Sequence, residues 1–130
     1  MRLTAVTAAA ACALLLAGAA ATQPRAPVPA GERLFRQCSA CHALEPDQDT
    51  PAGPTLHRVV GRRIAARSGF DYSPAMRRIA ARHRRWTPRL LDRFLADPAR
   101  FAPGTEMGFV GLRDAAERRA LIDWLRRRPR

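Results

Sequence analysis

The sequence contains no lysine. All 23 basic residues of the 130-residue chain are arginines, against 11 acidic residues, so the formal net charge is +12. A guanidinium stays protonated at any working pH, so this charge cannot be titrated away. It predicts an anionic partner such as a nucleic acid, an anionic lipid or an acidic protein. The alternative is general arginine enrichment with the charge simply solvated. Aromatic residues are few, at 6%, which argues against a nucleic-acid binder that stacks bases.

Strand-like patterns are also lacking. No run of strand length alternates between apolar and polar residues, and no internal repeat occurs. The length suits one domain and is too short for two of ordinary size. Apolar residues make up 47% of the chain, which excludes a compositionally disordered protein. The sequence therefore predicts a single all-α domain.

The first 21 residues read as a targeting segment. Arg2 precedes an uncharged, alanine-rich apolar run that ends in three alanines, Ala19 to Ala21. That order is typical of a cleaved secretory signal peptide, so we predict a signal peptide over 1–21 and export to the periplasm. The alternative is an uncleaved membrane anchor, since about 19 apolar residues can span a bilayer. Residues 22–29 hold three prolines and predict an extended, proline-rich lead.

Two cysteines and a histidine form the most specific motif. Cys38, Cys41 and His42 make a C-x-x-C-H sequence, the attachment signature of c-type haem. Two thiols at this spacing can each bond one edge of a porphyrin, and the adjacent histidine then ligates the iron.

Two other uses of the cysteine pair fit less well. A thioredoxin-like redox pair needs a βαβ setting, and no strand precedes Cys38. A structural zinc site needs four ligands at paired spacings. His57 and His83 are too far apart in sequence for that, and no second C-x-x-C exists.

Four helices are predicted along the chain, three of them from capping signals. A short helix is predicted over Ala30–Gln37. Ser73-Pro74 and Thr87-Pro88 each put a capping residue before a proline, predicting helices over 74–82 and 88–96. Asp97-Pro98 is predicted to end the second of these. Asp114 with Glu117 resembles a capping box and begins a last helix, to about residue 127.

The second axial ligand of the iron has four candidates: Met76, Met107, His57 and His83. Met76 lies within a predicted helix, where methionine is more often a core residue. His57 follows closely after His42, and His83 stands in a charged stretch that reads as solvated. Met107 lies in an irregular loop with glycines on both sides, which can present a thioether to the ring. We therefore favour Met107.

Taken together, these residues resemble the class I cytochromes c, in particular the group of mitochondrial cytochrome c and bacterial cytochrome c2. The resemblance runs from Gly31 to Leu125. It implies an all-α fold of short helices and long loops wrapped around one covalently bound haem c, with the cytochrome c domain over 30–130. Trp124 stands where the family's last helix carries an aromatic residue that packs on Gly31.

The resemblance also implies roles around the haem. The carbonyl of Pro54 would accept from the ring of the proximal histidine, and Phe109 would shield the haem edge. Arg62, Tyr72 and Trp86 match positions that bond a haem propionate.

Several positions depart from the family pattern. Phe94 replaces a tyrosine that often bonds near the axial methionine. Gln37, Ala99 and Glu106 stand where lysines often surround the exposed haem edge. These changes affect the expected docking of partners more than the binding of haem.

The functional prediction is a periplasmic one-electron carrier that shuttles electrons between respiratory or photosynthetic complexes, and not an enzyme. The expected partners are acidic redox proteins such as oxidases or quinol-oxidising complexes, with transient association at a membrane surface and no nucleic acid. The electron is expected to cross at the edge held by Cys38 and Cys41. The protein is expected to be a monomer. The alternative is a cytochrome c subunit tethered to the membrane or fixed in an enzyme complex.

Overall fold

A computed structural model describes residues 26–128. The predicted signal peptide and residues 22–25 of the proline-rich lead lie outside the described residues. The described part contains five helices and no strand: α1 (Ala30–Phe35), α2 (Pro74–Arg82), α3 (Pro88–Ala96), α4 (Pro98–Phe101) and α5 (Ala115–Arg127). Long irregular segments connect them, so the predicted all-α fold is confirmed.

The helix starts follow from side-chain capping. The Ser73 hydroxyl accepts from the backbone N–H of Met76, and the Thr87 hydroxyl from that of Leu90. Each cap satisfies a backbone donor that has no partner inside its helix. The bounds of α2 and α3 match the prediction from these caps.

The predicted end of the first helix is wrong, and α4 was not predicted. The first helix ends at Phe35 rather than Gln37, because the chain continues into tighter turns there. Asp97-Pro98 does end α3, but it also begins α4. The Asp97 carboxylate accepts from the N–H of Arg100, and Pro98 occupies the first turn. The combination of cap and proline that begins α2 and α3 therefore begins a third helix here.

The first and last helices pack together at one glycine. A Cβ atom at Gly31 would collide with Trp124 and would stand 2.6 Å from the carbonyl oxygen of Ala120. The rings of Phe35 and Trp124 are 5.4 Å apart, centroid to centroid. The prediction that Trp124 packs on Gly31 is confirmed.

A single buried cluster lies between these helices and the loops around residues 59–64. Its side chains are Phe35, Val59, Ile64, Ala75, Ile79, Trp86, Leu90, Leu91, Phe94, Leu95, Ala102, Leu112, Leu121, Ile122 and Leu125. Within the described range, no helix has the length and apolar character needed to cross a membrane.

Candidate functional site

The cysteine motif forms a turn that continues α1. The N–H of Cys38 donates to the Phe35 carbonyl at 2.7 Å, and the N–H of His42 donates to the Cys38 carbonyl at 2.9 Å. In such a turn, residues three apart lie on the same side. Both cysteines are free, with no disulfide between them. Burial, reinforced by the neighbouring Cys41, raises the pKa of the Cys38 thiol to about 11.

His42 is oriented by a backbone carbonyl. Its Nδ1 lies 2.7 Å from the carbonyl oxygen of Pro54. A carbonyl oxygen can only accept, so Nδ1 carries the proton and Nε2 keeps its lone pair. Burial lowers the pKa of His42 despite this bond, and Arg62 lowers it further. The imidazole is therefore favoured in the neutral form that can ligate a metal.

Gly53 makes room for this ring. A Cβ atom there would stand 2.6 Å from Cε1 of His42 and 2.7 Å from its Nδ1. Real Cβ atoms do not approach other heavy atoms so closely, so any larger residue would push the histidine out of place. Gly53 is thus a positioning residue for His42, and its role was not predicted from the sequence.

The loop that carries Pro54 is held by buried polar contacts. Thr55 is fully buried, and its hydroxyl donates to the Glu45 carbonyl at 2.7 Å. The Asp49 carboxylate accepts from the Thr55 N–H at 2.8 Å and pairs with Arg67 at 3.3 Å. Burial opposes ionisation of Asp49, but the Thr55 and Arg67 donors outweigh it and lower its pKa. Neither the role of Thr55 nor that of Asp49 was predicted from the sequence. The only sequence signal was the acidic, turn-rich stretch before Gly53.

Arg62 holds the far end of the same loop and is close to both Tyr72 and the backbone of Trp86. The Arg62 guanidinium donates to the carbonyls of His57 and Thr55, each at 2.8 Å. The backbone N–H of Trp86 donates to the Arg62 carbonyl at 2.9 Å, and the buried indole packs on Phe94, with the ring centroids 5.1 Å apart. Burial lowers the pKa of Arg62, partly offset by the nearby Tyr72. Burial has the opposite effect on the half-buried Tyr72, whose pKa it raises.

Met107 lies in the irregular segment between α4 and α5. It is half-buried against the core, and its N–H donates to the Thr105 hydroxyl at 3.3 Å. Phe109, two residues further on, is half-buried against the same core. Met76 is also half-buried, on α2. Burial alone therefore does not separate the two methionines, but only Met107 is on a loop.

The segment after Phe109 is clamped to the helices by an arginine on α5. Arg118 donates to the carbonyls of Leu112 and Arg113, each at 2.8 Å, and to the Asp92 carboxylate at 2.7 Å. The Leu112 N–H in turn donates to the Leu95 carbonyl at 2.8 Å. The end of the loop that carries Met107 is thus held against α3 and α5.

The two other histidines have separate environments. The His57 backbone N–H donates to the Thr55 hydroxyl, so this residue belongs to the loop after Pro54. His83 was expected to be solvated. It is instead half-buried, with its ring 6.5 Å from that of Phe101. Within residues 26–128, no three His, Cys, Asp or Glu side chains come together as a metal-binding group.

These features fit a covalently attached haem better than a metal held by the protein alone. Two free thiols lie on one turn, the adjacent histidine has a free Nε2, and Gly53 leaves space for its ring. Several half-buried apolar side chains pack against the core and could contact a large apolar ring. They are Leu34, Leu44, Leu56, Val60, Met76, Met107 and Phe109.

Comparisons with known proteins agree with this arrangement. The chain is 38% identical over 95 residues to a cytochrome c2 of Rhodomicrobium vannielii, covering 73% of this chain and 74% of that protein. It is 43% identical over 102 residues to the cytochrome c-type cyt cy of Rhodobacter capsulatus, covering 78% of this chain but 49% of that longer protein. Cytochrome cH from Methylobacterium extorquens has a similar structure, with a TM-score of 0.68 and 33% identity over 76% of this chain and 96% of that one. No family model matches the sequence.

Proposed function

Because this chain belongs to the class I cytochromes c, we propose that it is a periplasmic one-electron carrier whose iron is ligated by His42 and Met107. Covalently bound haem c is the cofactor of this family, and electron transfer is its role.

The observation that carries the proposal is the geometry of the C-x-x-C-H turn. Cys38 and Cys41 would hold the haem through thioether bonds, and His42 would ligate the iron through Nε2. The Pro54 carbonyl, 2.7 Å from Nδ1, fixes the tautomer and makes the imidazole a stronger donor. When bound, the haem iron supplies one-electron chemistry by alternating between the ferric and ferrous forms.

The other predicted residues would set the environment of the haem. Arg62, Tyr72 and Trp86 would neutralise and cover a propionate, a group that is costly to bury without donors. The Arg62 guanidinium is already oriented by two carbonyls. Phe109 would shield the haem edge from water. A thioether ligand such as Met107 favours the ferrous form and so raises the reduction potential.

The ligand assignment is tested with two methionine variants of the holoprotein. Reduced wild-type protein should show the α band of a c-type haem. Met107→Ala should abolish the weak near-infrared sulfur–iron band of the ferric form and lower the reduction potential. Met76→Ala is the matched control and should keep both. If the band survives in Met107→Ala and disappears in Met76→Ala, the axial ligand is Met76.

We also propose that the protein acts in the periplasm after removal of residues 1–21. N-terminal sequencing of the mature holoprotein tests this. A chain that begins at Thr22 supports cleavage and a freely diffusing carrier. A chain that begins at Met1 supports the tethered alternative.

A further inference from the structure

We propose that a basic surface around Phe101 docks an acidic surface of a protein redox partner. We name this surface the Phe101 face; it consists of Arg78, Arg82, His83, Arg93 and Arg100 around the ring of Phe101. The proposal rests on the proposed electron-transfer function and specifies the location at which the partner binds.

Side chains from α2 and α3 converge on the short segment from Phe101 to Pro103. The Arg93 guanidinium on α3 lies over the Phe101 ring, 5.5 Å from its centroid. The His83 ring, just after α2, stacks on the same ring at 6.5 Å. Arg78 on α2 donates to the Pro103 carbonyl at 3.1 Å. These groups therefore belong to one continuous surface rather than to separate stretches of sequence.

The remaining two arginines extend this surface. Arg82 is one helical turn after Arg78 on α2, and so lies on the same side of the helix. Arg100 immediately precedes Phe101 in α4, and all four arginines are exposed. Within residues 26–128, none of the four guanidinium groups is paired with a carboxylate.

The carboxylates on the neighbouring helices form no ion pair with these four arginines in the described part of the chain. Asp97 caps the N-terminus of α4 by accepting from the Arg100 N–H. Asp92 on α3 is paired with Arg118 at 2.7 Å. The four positive charges are therefore available to a partner.

The edge around the two cysteines has a different charge pattern. Glu32 and Arg33 are adjacent on α1, and the Arg33 guanidinium donates to the Val28 carbonyl at 2.6 Å. Glu45 lies in the loop just after His42, and Arg128 is 4.0 Å from its carboxylate. Among the described residues, positive and negative groups are interspersed here, with no concentrated charge of one sign.

An acidic protein fits the Phe101 face better than a lipid surface. Stacking and hydrogen bonding hold Arg78 and Arg93 in place, and a fixed guanidinium is suited to bidentate pairing with a carboxylate. Membrane insertion favours exposed apolar side chains. Val110 is the large apolar residue that is strongly exposed in the described part of the chain, and it is not in this face.

The face also lies next to the proposed ligand loop. Phe101 and Pro103 lead directly into Met107 within the same irregular segment. A partner bound here would be seated beside the Met107 loop. Long-range attraction to such a face would also speed the encounter at low ionic strength.

Three double variants of the holoprotein, each losing two positive charges, test the location. Arg82→Gln/Arg100→Gln removes charge from the Phe101 face without touching the contacts to Phe101 and Pro103. Arg119→Gln/Arg127→Gln removes it from α5, and Arg33→Gln/Arg36→Gln from the cysteine edge. The probe is poly-L-glutamate at low salt, with binding mapped by amide chemical shifts of the ferrous holoprotein.

In the wild type, we expect the shifts to cluster at residues 78–83, 93 and 100–104. The Phe101-face variant should bind about 2- to 30-fold more weakly, since each exposed ion pair contributes modestly. The α5 and edge variants should change binding less than about 2-fold. Equal weakening in all three, or the largest loss in the edge variant, would overturn the proposal.

Two further measurements separate the alternatives. Vesicles of phosphatidylglycerol replace the peptide in a parallel titration; binding to vesicles without binding to poly-L-glutamate would overturn the choice of an acidic protein. The reduced spectrum and the potential of each variant report on the haem itself. If these are normal while the shifts map elsewhere, the docking face is wrong and the proposed carrier function is unaffected.

Discussion

Replacing Arg118 by methionine should loosen the segment around Leu112 and Arg113, which anchors the end of the Met107 loop. The guanidinium has a side-chain exposure of only 11% and donates to the Asp92 carboxylate and to the carbonyls of Leu112 and Arg113. Methionine keeps most of the aliphatic volume but can donate to none of these groups. The change therefore tests the hydrogen bonds and the charge rather than the packing.

The expected loss follows mainly from two of the three acceptors, since the third, Arg113, is exposed to water. Breaking a buried ion pair by removing one partner costs about 3–5 kcal/mol. The Asp92 side chain is 42% exposed, so water can replace the lost donor there. Leu112 is only 5% exposed, so water cannot replace the donor to its carbonyl. Leaving that carbonyl unsatisfied costs about 1–3 kcal/mol. We expect a total of about 2–3 kcal/mol, or roughly 10–20 °C in the midpoint of thermal unfolding.

The measurement is thermal and urea unfolding of the holoprotein, followed by far-ultraviolet circular dichroism. Arg119→Met is the control, because Arg119 is the exposed neighbour on the same helix and should change stability by less than about 0.5 kcal/mol. In Arg118→Met, the near-infrared sulfur–iron band should also fade at a lower temperature than the helical signal. If Arg118→Met unfolds like Arg119→Met, the clamp contributes nothing and the reasoning is refuted.

Two more predictions follow from close contacts. Gly31→Ala should destabilise the holoprotein by about 1–3 kcal/mol, as overpacking does. The added methyl group would collide with Trp124, and α5 cannot move away freely. Unchanged urea unfolding would contradict this. Burial opposes ionisation of Asp49, but the Thr55 N–H and Arg67 outweigh it and hold its folded-state pKa below the ordinary value of 3.8. The stability that Asp49 contributes is therefore fully present above pH 3.8. It is lost as the pH falls through the folded-state pKa. Asp49→Asn should therefore flatten the acid limb of the stability–pH curve below about pH 5, and an unchanged limb would exclude the pairing.

The helices were predictable because their signals are local. Ser73-Pro74 and Thr87-Pro88 specify both where a helix begins and which hydroxyl caps it. The same logic applied to Asp97-Pro98 would have predicted α4, but that pair was interpreted only as an end. Asp97 both ends α3 and caps the start of α4, so one pair of residues carries both signals.

The polar contacts within the loops were not predictable in the same way. Thr55 bonds the Glu45 carbonyl ten residues earlier, and Asp49 bonds the Thr55 N–H. Gly53 matters because of the His42 ring, eleven positions away. Such contacts depend on how a loop closes in space, which no periodic pattern specifies. The family resemblance located the Pro54 carbonyl, because that contact belongs to a shared motif.

The absence of lysine has a structural meaning as well as an electrostatic one. The Arg62 guanidinium bridges the Thr55 and His57 carbonyls, and that of Arg118 bridges the Leu112 and Arg113 carbonyls. A planar fork with five donors can join two carbonyls at fixed angles, whereas a lysine ammonium is a compact charge on a flexible stem.

In this chain, long loops take the place of regular structure, and each unpaired carbonyl in them needs a donor. Part of the excess of arginine is therefore used inside the fold, where it holds loops rather than partners. The arginines of the Phe101 face differ, because they are exposed and pair with no carboxylate in the described part of the chain. The net charge of +12 thus overstates the charge that a partner encounters, and its location, not its total, should decide which surface docks.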